Sequence, residues 1–432
     1  MVHMALATLF SMTMSFTTGC EDESGVSPSD PHTEPVDWMM AHTGDYLREE
    51  GPGFWRRDRL EETLWRPDLG YSAKLLDSYG FGEDEGWDLL PVYDFPVEPV
   101  MANMASEQPE LLWGELDAMG MLEQARARYG KPDESTWSEA QWRAFGEEVF
   151  WRMPMRRDNY FDWLVMSPQL WDRYGLARGE NGELLGVTRY RDARGRTRVG
   201  MTCALCHAAG GEEGRANEAL DLGGARAAFR RAQGWDEDVF ALWGAGKVDV
   251  TDDEVLDPTA IPNLWGMKYQ RYFNASGVIR VETPASAAIR FETQYMMNHG
   301  YEVRAPRAFT WALAMYLYGL EEPAREPGEE GRGEAIFMEK CASCHDPARG
   351  YSGDLVVASG LSGSDMIASQ SLDRGTGHYR VPSLIGVGRG GPYLHDSSAA
   401  DLDALLVETK HPTGADLDEG DRRDLVKFLK TL

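Results

Sequence analysis

The sequence is poor in cysteine and histidine: five of its 432 residues are Cys and nine are His. So few cysteines cannot build the dense disulfide framework of a small secreted domain. Any metal chemistry must come from a short roster of thiolates and imidazoles. Basic residues are also in deficit, with 43 Lys and Arg against 71 Asp and Glu, a net charge of −28. A chain this acidic repels a phosphate backbone, which excludes nucleic acid as a partner class. Long apolar runs are missing as well. Beyond the N-terminus no stretch of about 18 apolar residues occurs, so the chain does not read as an integral membrane protein. Aromatics are abundant, with 14 Trp, 17 Tyr and 15 Phe. They supply an ample core and exclude a wholly disordered chain. At ~100–200 residues per domain, this length predicts two domains or three.

The scarce cysteines are not scattered. Four of the five fall in two copies of Cys-x-x-Cys-His, namely Cys203-Ala-Leu-Cys206-His207 and Cys341-Ala-Ser-Cys344-His345. Two intervening residues let one helical turn present both sulfurs to the two vinyl groups of a heme. The next residue then points its imidazole at the iron. Chance supplies roughly 0.001 copies of this pattern at this composition, so two copies carry a strong signal. A structural zinc site takes four ligands from paired knuckles. A redox Cys-x-x-Cys needs no following His. Two covalent hemes c are therefore expected, on Cys203 and Cys206 and on Cys341 and Cys344. His207 and His345 are the expected proximal iron ligands.

The fifth cysteine closes an N-terminal apolar stretch. Residues Ala5 to Phe16 have the length of a signal-peptide core and are too short to span a bilayer. Thr17-Thr18-Gly19-Cys20 then sets a small residue directly before a cysteine. This layout resembles a bacterial lipoprotein signal, with Thr17 where Leu is usual and no Lys or Arg before the apolar stretch. Residues 1–20 are read as that signal, lipidated at Cys20. An ordinary secretory signal with an incidental cysteine is the alternative. Residues 21–35 are acidic and rich in Ser and Pro, the composition of a tether. The expected location is the periplasm or cell envelope, with membrane attachment through the N-terminal lipid. Export agrees with c-type heme, which bacteria attach outside the cytoplasm.

Organisation follows from periodicity. Residues 36–325 are expected to form an N-terminal heme domain with a long extension, and residues 326–432 a C-terminal cytochrome c domain. Thr136-Trp137-Ser138-Glu139 has capping-box spacing and predicts a helix to about Met153. Residues 185–200 alternate around a turn and predict a short hairpin. Phe309, Ala312, Leu313, Tyr316, Leu317 and Leu320 recur at helical spacing and predict a buried helix. Residues 321–333 crowd charge, Pro and Gly together and mark a boundary. Glu334 to Lys340 then predict a helix leading into Cys341. Leu425, Phe428, Leu429 and Leu432 predict a closing helix over Asp421–Leu432. No Trp lies in this last module. The fold class expected is mainly α, with two cytochrome c-like heme domains and little β.

Two further segments carry a family resemblance. Tyr379-Arg-Val-Pro-Ser-Leu-Ile-Gly-Val and Gly391-Pro-Tyr-Leu-His-Asp-Ser-Ser resemble the C-terminal heme domain of the bacterial di-heme cytochrome c peroxidase and MauG superfamily. Arg380, Pro382, Pro392, Tyr393, His395 and Asp396 match its pattern, and Ser397 stands where the family carries Gly. The resemblance spans the C-terminal module and the first heme motif. It leaves out residues 36–200, a long early region more like that of the larger oxygenase-type members. It implies an N-terminal heme that reacts and a C-terminal heme that supplies or stores electrons.

The sixth ligand on each iron decides between carrier and catalyst. For the C-terminal iron the candidates are His411, placed near where related members carry a distal ligand, and Met366, the only Met after His345. His378 stands in reserve. His395 is read instead as a local hydrogen-bonding or propionate-holding residue. For the N-terminal iron, His299, Met267, Met296 and Met297 are within reach, although each also reads as core. An open iron is the alternative there, with Glu282 or Glu292 as the distal acid. Trp265 and Trp311 read either as electron relays between the hemes or as packed aromatics. The acidic loop Gly244 to Asp253 offers oxygen ligands for Ca²⁺ without EF-hand spacing.

Three functions compete. The first is an exported di-heme c-type cytochrome for electron transfer. The second is a di-heme peroxidase or oxygenase, and the third a heme lipoprotein that binds a gas. A soluble redox partner with a basic surface would meet the acidic charge.

Overall fold

The computed structural model describes residues 31–432 apart from 33, 49–53, 65, 67, 71, 73–89, 91, 93–96, 102–117, 181, 193, 236–238, 251–254, 326–330, 355, 410 and 413–416. The signal, Cys20 and most of the tether lie outside the described residues, as do Asp252 and Asp253 of the acidic loop. The fold is mainly α, with twelve α-helices and short strands among the described residues.

The main core forms around α4 (Glu139–Arg152) and α9 (Arg307–Tyr318). Every residue of α9 is buried, as a helix that is apolar on all sides must be. A Cβ on Gly146 would fall closer than 3.0 Å to the backbone of Ala312, so the glycine sets how near the two axes come. Trp142, Phe145, Val149 and Phe150 fill the contact, and Phe145 meets Phe309 edge-on at 5.1 Å. The capping box of α4 lies two residues later than expected. Ser138 pairs with Gln141, while Thr136 belongs to a preceding 3-10 turn capped by Asp133. The early region is not a separate unit. Helix α1 (Pro35–Leu47) inserts Trp38, Met39 and Tyr46 into the same core.

The hairpin expected at 185–200 is present as β3 (Glu183–Arg191) and β4 (Thr197–Met201), the central strands of a four-stranded antiparallel sheet. Its turn is held by buried Asp192, whose carboxylate accepts from the Arg194 and Arg196 amides at 3.0 Å each. Strand β4 runs through Thr202 directly into α6 (Cys203–His207). Gly186 of β3 has φ +71, and a Cβ there would strike the Leu205 backbone. The sheet thus carries the first Cys-x-x-Cys-His turn against its own backbone.

The C-terminal module has its own core. Helix α10 (Arg332–Lys340) crosses α12 (Glu419–Leu429), with α11 (Leu402–Val407) beside them. Ile336, Phe337, Tyr351, Leu402, Leu425 and Phe428 pack there. Helix α12 starts two residues before the expected Asp421, because Asp418 is its N-cap and accepts from the Asp421 amide at 2.8 Å.

One segment occurs twice. Pro262-Asn-Leu-Trp-Gly266 and Pro382-Ser-Leu-Ile-Gly386 lie 120 positions apart. In each copy the glycine is left-handed (φ 75 and 77) and opens a 3-10 turn. Asn274 and Leu394 then share positive φ (62 and 70), as do Gly277 and Ser397 (67 and 60). Phe273 pairs with Ile279, and Tyr393 pairs with Ala399. The two halves therefore repeat one backbone frame.

Candidate heme sites

Each Cys-x-x-Cys-His turn is anchored to this repeated frame. The His207 Nδ1–H donates to the Pro262 carbonyl at 3.0 Å. The His345 Nδ1–H donates to the Tyr351 carbonyl at 3.0 Å and is also held by the Pro382 carbonyl. A carbonyl only accepts, so Nδ1 carries the proton and the Nε2 lone pair is left for a metal. Burial lowers both imidazoles to about 4, so both are neutral at neutral pH. Burial also pushes the Cys203 and Cys206 thiols up to about 12. No disulfide joins the four motif cysteines.

The donor set fits heme c, with two thiols and one oriented imidazole per site. Cys203, Cys206 and His207 are half-buried. Arg380 gives a second indication. Its guanidinium is surrounded by protein and donates to Gln270 Oε1 at 2.5 Å, and burial alone lowers its pKa to about 10. Among the described residues no carboxylate offsets that charge, and an unpaired cation enclosed by protein is costly. An anion such as a heme propionate would offset it.

The two sites meet at Trp265. Its indole N–H donates to the Glu213 carbonyl at 3.0 Å, in the loop that follows His207. A Cβ on Gly214 would lie 2.6 Å from Nε1, and one on Gly386 would fall closer than 3.0 Å to the six-membered ring. The Arg389 guanidinium stands 5.7 Å over the indole and is paired with Glu212 at 2.7 Å. Trp265, 4 % exposed, is thus wedged between the first motif's loop and the second copy of the repeat. Trp311 is placed otherwise. It stacks on Tyr46 at 4.5 Å and donates to Thr43 Oγ1 at 3.1 Å, deep in the helical core.

The distal candidates separate clearly. His411 Nδ1–H donates to the Ser362 carbonyl at 3.2 Å, leaving Nε2 available, and His411 is the ionisable group that His345 senses. Met366 is 45 % exposed, with its sulfur 3.7 Å from Gln370 Nε2. His378 donates to the Thr376 carbonyl at 2.8 Å. His395 is engaged locally with Ser364 Oγ (2.7 Å), Tyr379 Oη (3.0 Å) and Asp365 (3.2 Å), and stacks on Tyr379. Asp365, His395 and Asp396 lie together, but their atoms are already taken up by backbone amides and each other.

Burial lowers the His207 pKa and the Pro262 hydrogen bond partly opposes it. Met296 and Met297 are buried core residues, and Met267 packs against the same core. Glu282 pairs with Arg280, and Glu292 accepts from Tyr46 at 2.9 Å in the core. His299 is 4 % exposed, donates from Nε2 to the Pro154 carbonyl at 2.9 Å and stacks on Tyr295. It is a packing residue.

Burial lowers the His299 pKa to about 4. The unfolded chain then binds the extra proton. This share of stability is complete above pH 6.5 and drains away as pH falls toward 4. Denaturant titrations at pH 7 and pH 4.5 should show an acid-induced loss smaller by about 2 kcal/mol in His299→Gln than in the wild type.

In the acidic loop Asp249 grips Arg374 of the C-terminal module at 3.2 Å, and Asp257, beyond the loop, grips the same guanidinium. The cation these two acids hold is a guanidinium. Sequence reading assigned no role to Glu213, whose carboxylate accepts from both Trp151 and Tyr316. Acids are so common in this chain that no sequence signal marked this one.

No family model matches the chain. The methylamine utilization protein MauG of Methylorubrum extorquens is 34 % identical over 119 residues, which cover 23 % of this chain and 33 % of that protein. The chain thus spans about a third of that relative's length, and the expected resemblance is met over that part. A solved structure, hydrazine synthase from Kuenenia stuttgartiensis, aligns with 43 % of this chain and 76 % of its own at 19 % identity. Its TM-score of 0.35 is below what a shared fold requires.

Proposed function

We propose that the protein is an exported di-heme c-type cytochrome that passes electrons between two covalent hemes across the seam at Trp265. The observation that carries this reading is the single indole packed between the loop after His207 and the glycine of the second repeat. Bound heme supplies the one-electron couple at each site. Cys203 and Cys206, and Cys341 and Cys344, hold the two groups by thioethers. The Pro262 and Tyr351 carbonyls orient the imidazoles, and Arg380 takes a propionate. His411 is the distal ligand of the second iron. Attachment at the membrane through Cys20 and a basic redox partner complete the proposal. Encounter with that partner would slow as salt screens the acidic surface. Among the described residues no helix is long and apolar enough to cross a membrane.

A second reading, peroxidase-type reactivity at the first iron, is favoured by one asymmetry. The His411 imidazole acts electrostatically on His345, whereas among the described residues no ionisable group is seen to act on His207. Absorption and EPR spectra of the ferric holoprotein, before and after hydrogen peroxide, decide between the two. A high-spin signal that peroxide converts supports reactivity. Two low-spin signals inert to peroxide sink it and leave a carrier. In His411→Ala one low-spin signal should become high-spin. Trp265→Phe should slow electron exchange between the hemes by at least about tenfold, a barrier rise of about 1.4 kcal/mol.

A further inference from the structure

Glu213 gathers three oxidisable side chains around one residue. Its carboxylate accepts from the Trp151 indole N–H and from the Tyr316 phenol, and its carbonyl accepts from the Trp265 indole N–H. Tyr316 sits on the core helix α9, 6 % exposed, with its ring 5.5 Å from Phe150. Glu213 is only half-buried. Arg143 and Glu147 are the other charged groups that act on the phenol. An aromatic seam needs no carboxylate for packing, and burying one there costs free energy. A phenol that gives up an electron, however, must shed its proton. The acceptor has to stand within hydrogen-bond reach. Glu213 meets that condition and, being half-buried, can pass the proton on to solvent.

We propose that Tyr316 is a redox-active tyrosine, with Glu213 as its proton acceptor, serving as a side station on the electron path through Trp265. The inference rests on the proposed function for the heme beside Trp265. The step balances with an added peroxide as the oxidant. Trp265 would give one electron to the oxidising equivalent that the peroxide supplies at the neighbouring heme site. The Trp265 radical cation then takes an electron from Tyr316. The phenolic O–H bond breaks, and the proton forms an O–H bond on Glu213. Neutral Trp265, a Tyr316 phenoxyl radical and protonated Glu213 are the products. An oxidising equivalent arriving without an electron donor is thereby parked away from the hemes.

The test is freeze-quench EPR on the holoprotein with hydrogen peroxide, paralleled by flash-quench oxidation with a ruthenium photosensitiser. The expected result is an organic radical whose signal narrows when tyrosine is ring-deuterated and vanishes in Tyr316→Phe, with heme absorption intact. Glu213→Gln should form the radical about 100-fold more slowly, the lower range for losing a proton acceptor. A signal insensitive to tyrosine deuteration, or equal in Tyr316→Phe, overturns the assignment. So does the absence of a tyrosyl signal with both oxidants. Hemes inert to peroxide, together with a flash-quench radical lost in Tyr316→Phe, overturn the peroxide reading and leave Tyr316 in place.

Discussion

Replacing Cys341 and Cys344 together by alanine should remove one of two hemes and leave the C-terminal module unfolded, while residues 36–325 keep theirs. The module has a thin core of its own. Its helices α10 and α12 meet through Phe337 and Phe428 at 5.4 Å, and no Trp contributes. Gly333 brings the two helices so close that a Cβ would strike the Asp424 carbonyl, so little side-chain volume fills the crossing. A domain of this size draws much of its stability from whatever binds only its folded state, and a covalent group cannot dissociate. The N-terminal domain has Trp137, Trp142, Trp171 and Trp311 fully buried and does not depend on the second site. Mass spectrometry of the purified chain and its pyridine hemochrome absorbance would read the stoichiometry. Near-ultraviolet circular dichroism and limited proteolysis would locate the loss. Two hemes retained in the double variant would refute covalent attachment at these cysteines.

Gly386→Val should cost about 3–5 kcal/mol and uncouple the two modules, because two independent penalties coincide at one position. The backbone there is left-handed, with φ +77. A β-branched side chain tolerates that region poorly, at roughly 1–2 kcal/mol. The new Cβ would also press into the Trp265 ring, which cannot yield because Gly214 holds its other side. Gly377→Ala separates the terms. Its φ is +78 with nothing within 4 Å of a Cβ, so about 1 kcal/mol of backbone strain is expected alone. Urea midpoints of the two variants should differ accordingly. Equal losses would mean that the indole is not clamped at this seam.

Much of this was legible in the chain. The heme turns announce themselves because three residue types must sit at fixed spacing within one helical turn. The helix over Arg307–Tyr318 and the hairpin of β3 and β4 were visible because burial imposes their periodicity. The capping box slipped by two residues because Thr136 and Ser138 are both competent caps, and only the preceding Asp133 turn selects between them. The distal side was harder to read. Met366 and His411 are comparable ligands on paper, and burial separates them: one is 45 % exposed, the other is half-buried against the Ser362 carbonyl. His299 reads as available in the sequence, but its ring stacks on Tyr295 and meets Tyr190 edge-on. The repeated frame escaped notice because its two copies share little beyond Pro, Leu and Gly at matching intervals.

That repeat makes the molecule symmetric in scaffold and asymmetric in fittings. Where the second copy carries His395 and Asp396, the first carries Ala275 and Ser276 at the equivalent positions. The backbone is indifferent to the exchange, since Asn274 and Leu394 hold the same left-handed geometry just before it. Two sockets of one shape can therefore be wired differently without either disturbing the other's mounting. A device with matched sockets and unmatched terminals has a polarity, and charge moving through Trp265 would have an upstream and a downstream side.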